Sequence, residues 1–325
     1  MAEASNSNSL QRIRHGLAAS PLMTWLLLVG VLLSTIMAFV VASVLAVVIA
    51  TLVADPAPQS TPDDQPAAQQ DVVEREDDDR PVAQEQLAQE LMRDRTGFTW
   101  IVLLPQLSLV FLPILAAYFF PGGIGGALAI ERGNWPLWGW AAAAAATPLV
   151  GLIVTVMLGG LVEESETLRS TSATIRHHGT SGFLLPLVLL IGVTPAICEE
   201  ILFRGFLQRR LTQLLPAWVG ILLASIAFAA LHVDPIHALG VLPLGIWLGF
   251  LAHASGSLWP AILGHFTNNT LAILGVLAED SGAFDLPPLA GFVSITVVGL
   301  LGFSGIVLAS LRTPLAGDGG APPNE

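Results

Sequence analysis

The chain has 325 residues, 53% of them hydrophobic and only 12% charged, with a mean hydropathy of +0.70. A soluble globular protein carries about 25% charged residues, so lipid must be the solvent for most of this sequence, and a soluble enzyme is excluded. The net charge of -12 comes with no lysine and no basic patch, which excludes nucleic acid as a partner, and a single cysteine, Cys198, excludes an internal disulfide framework and a zinc site of four thiolates.

Residues 1–20 are polar and carry Arg12 and Arg14, and an apolar run follows from Pro21 to about Leu52. That run exceeds the roughly 7–15 apolar residues of a signal peptide, so it predicts an uncleaved first transmembrane helix with a cytoplasmic N-terminus. Between positions 53 and 97 stand 12 acidic residues and four arginines, with Pro, Gln and Ala between them. No core can form there, which predicts a disordered acidic loop outside the cytoplasm, ending in a short amphipathic helix from Val82 to Arg95. The remaining predicted spans are Phe98–Phe120, Leu137–Val162, Phe183 to about Leu215, Ala217 to about Val233, Ala238–Ala254, Leu258–Ala278 and Leu289–Leu311. The expectation is therefore an all-α polytopic membrane bundle of about eight transmembrane helices. It divides into a cytoplasmic N-terminus and first helix (1–52), the acidic loop (53–97), helices 2–3 (98–181), a core of helices 4–7 (182–280), and a last helix with its tail (281–325).

Arginine placement sets the orientation. An even number of spans starting inside puts Arg12, Arg14, Arg132, Arg209, Arg210 and Arg312 in the cytoplasm, leaving Arg169 and Arg176 on the external side. The lysine-free, alanine-rich composition points to a bacterial plasma membrane. Gly245 and Gly249 share one helix face, a signal for close helix packing. Gly302-Phe-Ser-Gly305 has the look of a serine-protease loop, but no histidine follows it, so it reads as chance.

An ionisable residue inside a bilayer costs about 2.5 kcal/mol or more, so each is a functional candidate. Three places qualify. In Cys198-Glu-Glu-Ile-Leu-Phe-Arg204, Glu200 and Arg204 are four apart and can pair. Glu199 is turned about 100° away and is left as the carboxylate without a cation, which suits a general base. Phe228 and His232 stack one turn apart, as do His265 and Asn269, whose N–H groups together suit a developing oxyanion. A base, a second base or orienter, and oxyanion donors make the constellation for hydrolysing an amide with activated water. Cys198 reads as packing, and His237 and His253 as ordinary interfacial histidines.

In order and spacing, Glu199-Glu200-x-x-x-Arg204, Phe228-x-x-x-His232 and His265-x-x-x-Asn269 resemble the CPBP family of intramembrane proteases, also called type II CAAX prenyl endopeptidases or the Abi family. Thirty-three residues separate Glu199 from His232, and 33 more lead to His265. The resemblance spans roughly Phe183 to Ala278 and implies an intramembrane glutamate endopeptidase acting on a membrane-associated protein or peptide. It implies that Glu199 and His232 activate water, that His265 and Asn269 hold the oxyanion, and that Glu200 and Arg204 support them. No cofactor is required, although Glu199, His232 and His265 are the residues that would hold zinc if one were used. A non-catalytic immunity or scaffold protein, or a proton-coupled transporter, would also bury such groups. With spans of ordinary length Glu199 and His232 fall near opposite membrane faces. The expectation is that a long, tilted Phe183 helix brings them together beside a water-filled cavity.

Overall fold

The computed structural model describes residues 21–53, 80–120, 123–159, 161–281 and 288–312. The N-terminal arginines and most of the acidic stretch lie outside the described residues. Described residues form helices joined by turns, with no strand among them: α1 Pro21–Val53, α2 Arg80–Arg93, α3 Arg95–Tyr118, α4 Gly123–Leu128, α5 Leu137–Gly159, α6 Glu166–Thr180, α7 Leu184–Leu214, α8 Ala217–Ala230, α9 Pro235–Ser255, α10 Trp259–Ser281 and α11 Pro288–Arg312. Seven of them, α1, α3, α5, α7, α9, α10 and α11, are long and apolar enough to cross a membrane, and the protein is an integral multi-pass membrane protein. The eighth predicted span is α8, whose 14 residues reach only about 21 Å, short of a hydrocarbon core of about 30 Å.

Chain-end contacts sort the helices into two ends. At one end Asn134 N–H donates to the Ser255 carbonyl (2.8 Å) and Leu258 N–H to that of Ala129 (2.8 Å), while the Trp259 indole donates to Ile130 (2.7 Å). Gly133 sits in that junction at φ +68, where a Cβ would also lie 2.7 Å from Ser257 Cβ, so only glycine fits. Arg210 reaches the Ala127 carbonyl here and Arg312 lies over Trp138, which gathers the described arginines assigned to the cytoplasm at one end. At the opposite end Arg95 donates to the Ser181 carbonyl and stacks on Phe183, and His178 Nε2 lies 2.9 Å from the Met92 carbonyl.

Helix α7 is the central element. Its 31 residues span about 46 Å, so it tilts in or projects from an ordinary bilayer. It is interrupted by π-helical turns at Val188–Val193 and Ile201–Gln208. From the second turn, Arg204 Nη2 donates to the Gly245 carbonyl (3.0 Å) and Gln208 Nε2 to that of Gly249 (2.9 Å). The two glycines of α9 therefore do more than let helices approach. They bare the carbonyls that satisfy two buried polar side chains four residues apart, and a Cβ on Gly249 would sit 2.6 Å from Gln208 Oε1 and 2.9 Å from Ile221 Cγ2. Gly302 presses against Ala142 and Ala146 backbone, and Ser304 bonds its own helix at Leu300 (3.0 Å), which gives that segment a packing role.

Candidate active site

Simple rise arithmetic sets the depth of the site. Glu199 lies 15 residues before the end of α7 at Leu214, and His232 lies 15 residues after the start of α8 at Ala217. Counted at the rise of an ideal helix from a hairpin turning at Leu215-Pro216, both would be about 22 Å from the turn. The same register puts Arg204 beside Phe228, and the guanidinium lies 4.3 Å from that ring's centre.

Glu200 is fully buried and Arg204 is 2% exposed; Arg204 Nη1 donates to Glu200 Oε1 at 2.7 Å. The same oxygen lies 2.9 Å from His265 Nδ1. A carboxylate there fixes the tautomer, with Nδ1 donating and Nε2 of the neutral ring left as an acceptor. His265 Nε2 then faces Glu199 Oε2 at 3.9 Å. Glu199 is 5% exposed, and its other oxygen accepts from Gln106 Nε2 of α3 at 2.8 Å. Gln106 is a site residue that the sequence motifs do not point to. Its own Oε1 is buried without a hydrogen-bond partner.

His232 hangs from the end of α8 with Nδ1 3.1 Å from the Phe228 carbonyl. With Nδ1–H donating to that carbonyl, its Nε2 is free to accept. Phe228 presents its ring edge-on to both histidines, with centroids 5.2 Å from His232 and 6.0 Å from His265. Asn269 Nδ2 donates to the Ile191 carbonyl at 3.1 Å. In a regular α-helix that carbonyl would bond the N–H of residue 195, but Pro195 has none. Asn269 thus spends one N–H on the π-helical turn of α7 and keeps a second.

After His232 the chain turns through Val233, a β-branched residue at φ +58 that is 87% exposed. Such a conformation stores about 1–3 kcal/mol of strain. Asp234 caps α9 by accepting from the Ile236 and His237 amides at 2.9 Å each, and this brings the His237 ring to 4.6 Å from His232. His237, read from sequence as interfacial, is thus the ring next to His232. With Asn268, Arg169, Glu163 and Glu164 it lines a cavity of about 1000 Å³ between α5, α9 and α10. None of Glu199, His232, His265 or Asn269 lines this cavity; His237 and Asn268 are the neighbours that border it.

The Asp234 carboxyl is held below its ordinary value by the Ser165 hydroxyl and by the His237 and Ile236 amides. The stabilisation this gives the cap is complete above the ordinary value of 3.8 and is lost as pH falls through the lowered folded value. Protection factors at the Ile236 and His237 amides, corrected for the intrinsic exchange rate at each pH, are expected to hold from pH 7 down to pH 4 and to fall below it, while those of amides in mid-α9 stay unchanged. Uniform behaviour of both groups would contradict that assignment.

Among the described residues no three His, Cys, Asp or Glu side chains are grouped to hold a metal ion. Residues 181–271 match the family model described as type II CAAX prenyl endopeptidase Rce1-like. The matched segment contains every motif residue from Glu199 to Asn269 and excludes Gln106. No curated protein and no solved structure matches the chain.

Proposed function

We propose that this chain, which carries an Rce1-like domain over residues 181–271, is an intramembrane endopeptidase that hydrolyses a peptide bond of a membrane-associated protein or peptide. The observation that carries this reading is Glu199. It is a buried carboxylate halfway along α7, bonded by the neutral Gln106 amide and faced at 3.9 Å by a histidine nitrogen. The structural ion pair is made by its neighbour Glu200, so Glu199 is free to accept a proton.

In this proposal a water held near Glu199 Oε2 and a histidine Nε2 gives its proton to Glu199 and attacks the scissile carbonyl carbon. Negative charge builds on the carbonyl oxygen and is met by N–H donors, of which the second N–H of Asn269 is one. The C–N bond then breaks, and the proton returns from Glu199 to the leaving amine, so charge and atoms balance. His232 serves as the water's second partner, and His265, as an imidazolium with Nδ1–H on Glu200 and a second N–H at Nε2, stands with Asn269 at the oxyanion. Gln106 positions the Glu199 carboxylate. No step requires a metal ion. With the arginine-rich end in the cytoplasm, the cavity beside His237 opens toward the external side.

The 3.9 Å approach of His265 to Glu199 favours a second assignment of the two rings, in which His265 holds the water and His232, protonated at Nε2 as well as Nδ1, faces the oxyanion. Replacing each by Asn separates the assignments, because a carboxamide still donates a hydrogen bond but cannot relay a proton. The oxyanion histidine is expected to keep the larger share of kcat as Asn. Equal losses of about 100-fold or more in both would mean that neither ring acts only as a donor.

Metal removal tests the chemistry. The detergent-purified protein, mixed with a library of membrane peptides, is expected to cleave at an unchanged rate after incubation with a strong zinc chelator. Loss of cleavage that returns with added zinc would instead make Glu199, His232 and His265 metal ligands.

A further inference from the structure

Two arginines of α7 are buried six residues apart, yet among the described residues only one has a counter-charge. Arg204 is paired with Glu200 at 2.7 Å. Arg210, 3% exposed, meets no carboxylate among the described residues. Its contacts are the Ala127 carbonyl at 3.3 Å and the Phe120 ring, whose centre lies 3.9 Å from the guanidinium carbon; its Nε is buried without a hydrogen-bond partner. An uncompensated cation at such burial is costly, and a protein retains one where an anion completes it.

A cavity of about 350 Å³ adjoins it, where the start of α1, the end of α3, α4 and the end of α7 meet, and it is lined by Thr24, Phe120, Ala127, Arg209, Arg210 and Gln213. Arg209 adds a second, half-buried guanidinium, and Gln213 and Thr24 add neutral hydrogen-bonding groups. Among the described residues Glu131 is the one carboxylate at this end, against Arg132, Arg209, Arg210 and Arg312. The cavity therefore lies where span ends meet, at the positive end of the bundle, the place where basic pockets between helices take lipid headgroups.

We infer that this cavity is a binding site for a phosphate ester, with Arg210 and Arg209 as its counter-charges. The guanidinium fork matches phosphate oxygens in spacing and plane, and the Phe120 ring under Arg210 holds that fork in place. Two sources share this chemistry, the headgroup of an anionic phospholipid and a soluble phosphate. The position of the cavity at the span ends favours the lipid.

The test uses the full chain in nanodiscs of phosphatidylcholine, alone or with one-fifth phosphatidylglycerol, and in phosphatidylcholine with inorganic phosphate added. Native mass spectrometry after detergent release reads retained lipid, and thermal unfolding reads the linked stabilisation. Wild type is expected to prefer phosphatidylglycerol over phosphatidylcholine by about thirtyfold, from two arginines near the surface, and to unfold at higher temperature in its presence. Arg210→Met, which keeps the packing volume, is expected to lose that preference, whereas Arg132→Gln at the same end keeps it. An equal rise with inorganic phosphate alone would assign the site to a soluble phosphate. No preference in wild type, or the same preference in Arg210→Met, overturns the proposal. Should Arg210→Met fail to fold, Arg209→Gln with Gln213→Leu takes its place, with the same expected loss.

Discussion

Glu199→Gln is expected to lower kcat by about a thousandfold or more, the scale of a lost general base, while leaving the unfolding temperature within error of wild type. The separation of the two effects follows from the site's division of labour. The introduced carboxamide has nearly the same shape as the carboxylate and can still accept from Gln106, whose amide lies 2.8 Å from Glu199 Oε1, so packing is preserved. No arginine is stranded, because Arg204 pairs with Glu200 at 2.7 Å. What the carboxamide cannot do is accept the water's proton. KM is expected to stay the same, since a group that acts only in the transition state contributes nothing to ground-state binding. Gln106→Leu should show the same split on a smaller scale, with kcat reduced and KM unchanged. A Glu199→Gln protein that is folded and fully active would remove Glu199 from the chemistry.

Arg204→Met is expected to act through stability. It leaves the fully buried Glu200 with only His265 Nδ1 at 2.9 Å as a partner and removes the guanidinium from the Phe228 ring and the Gly245 carbonyl. Breaking one side of a buried ion pair costs about 3–5 kcal/mol. This should appear as a large drop in the thermal midpoint in detergent and in protein yield. Neutralising the partner in the same chain, Glu200→Gln with Arg204→Met, is expected to recover most of that loss, because the penalty belongs to the unpaired charge. Additive losses in the double variant would show instead that Arg204 stabilises through its contacts to α8 and α9.

Much of this architecture is legible in the sequence, for reasons that differ from residue to residue. Long apolar runs locate the spans because lipid tolerates little else, and the Glu200–Arg204 pair follows from four-residue spacing alone. The equal counts from Leu215-Pro216 back to Glu199 and on to His232 are also available. Assuming that every span crosses the full membrane hides them, since α8 ends after 14 residues. Gln106 is not legible, because its partner lies 93 positions away and a lone glutamine in an apolar helix carries no spacing signal. Its one trace is that it is polar and stands beside Pro105 in an otherwise apolar run. His237 reads as interfacial because its place depends on the turn at Val233 and the Asp234 cap, which carry it back beside His232. The surroundings of Arg210, with no carboxylate against it among the described residues, are likewise a property of α1, α3, α4 and α7 meeting, and neighbouring letters in the sequence do not reveal them.

The central claim is that Glu199 directs water onto a peptide bond inside the membrane, and cleavage in ¹⁸O-labelled water tests it most directly. Wild type reconstituted in liposomes with a membrane-spanning peptide should release a fragment whose new C-terminal carboxylate carries one ¹⁸O, and the folded Glu199→Gln protein should release none. The same labelled product in equal amount from both proteins, or no product from wild type with any peptide, would contradict the account.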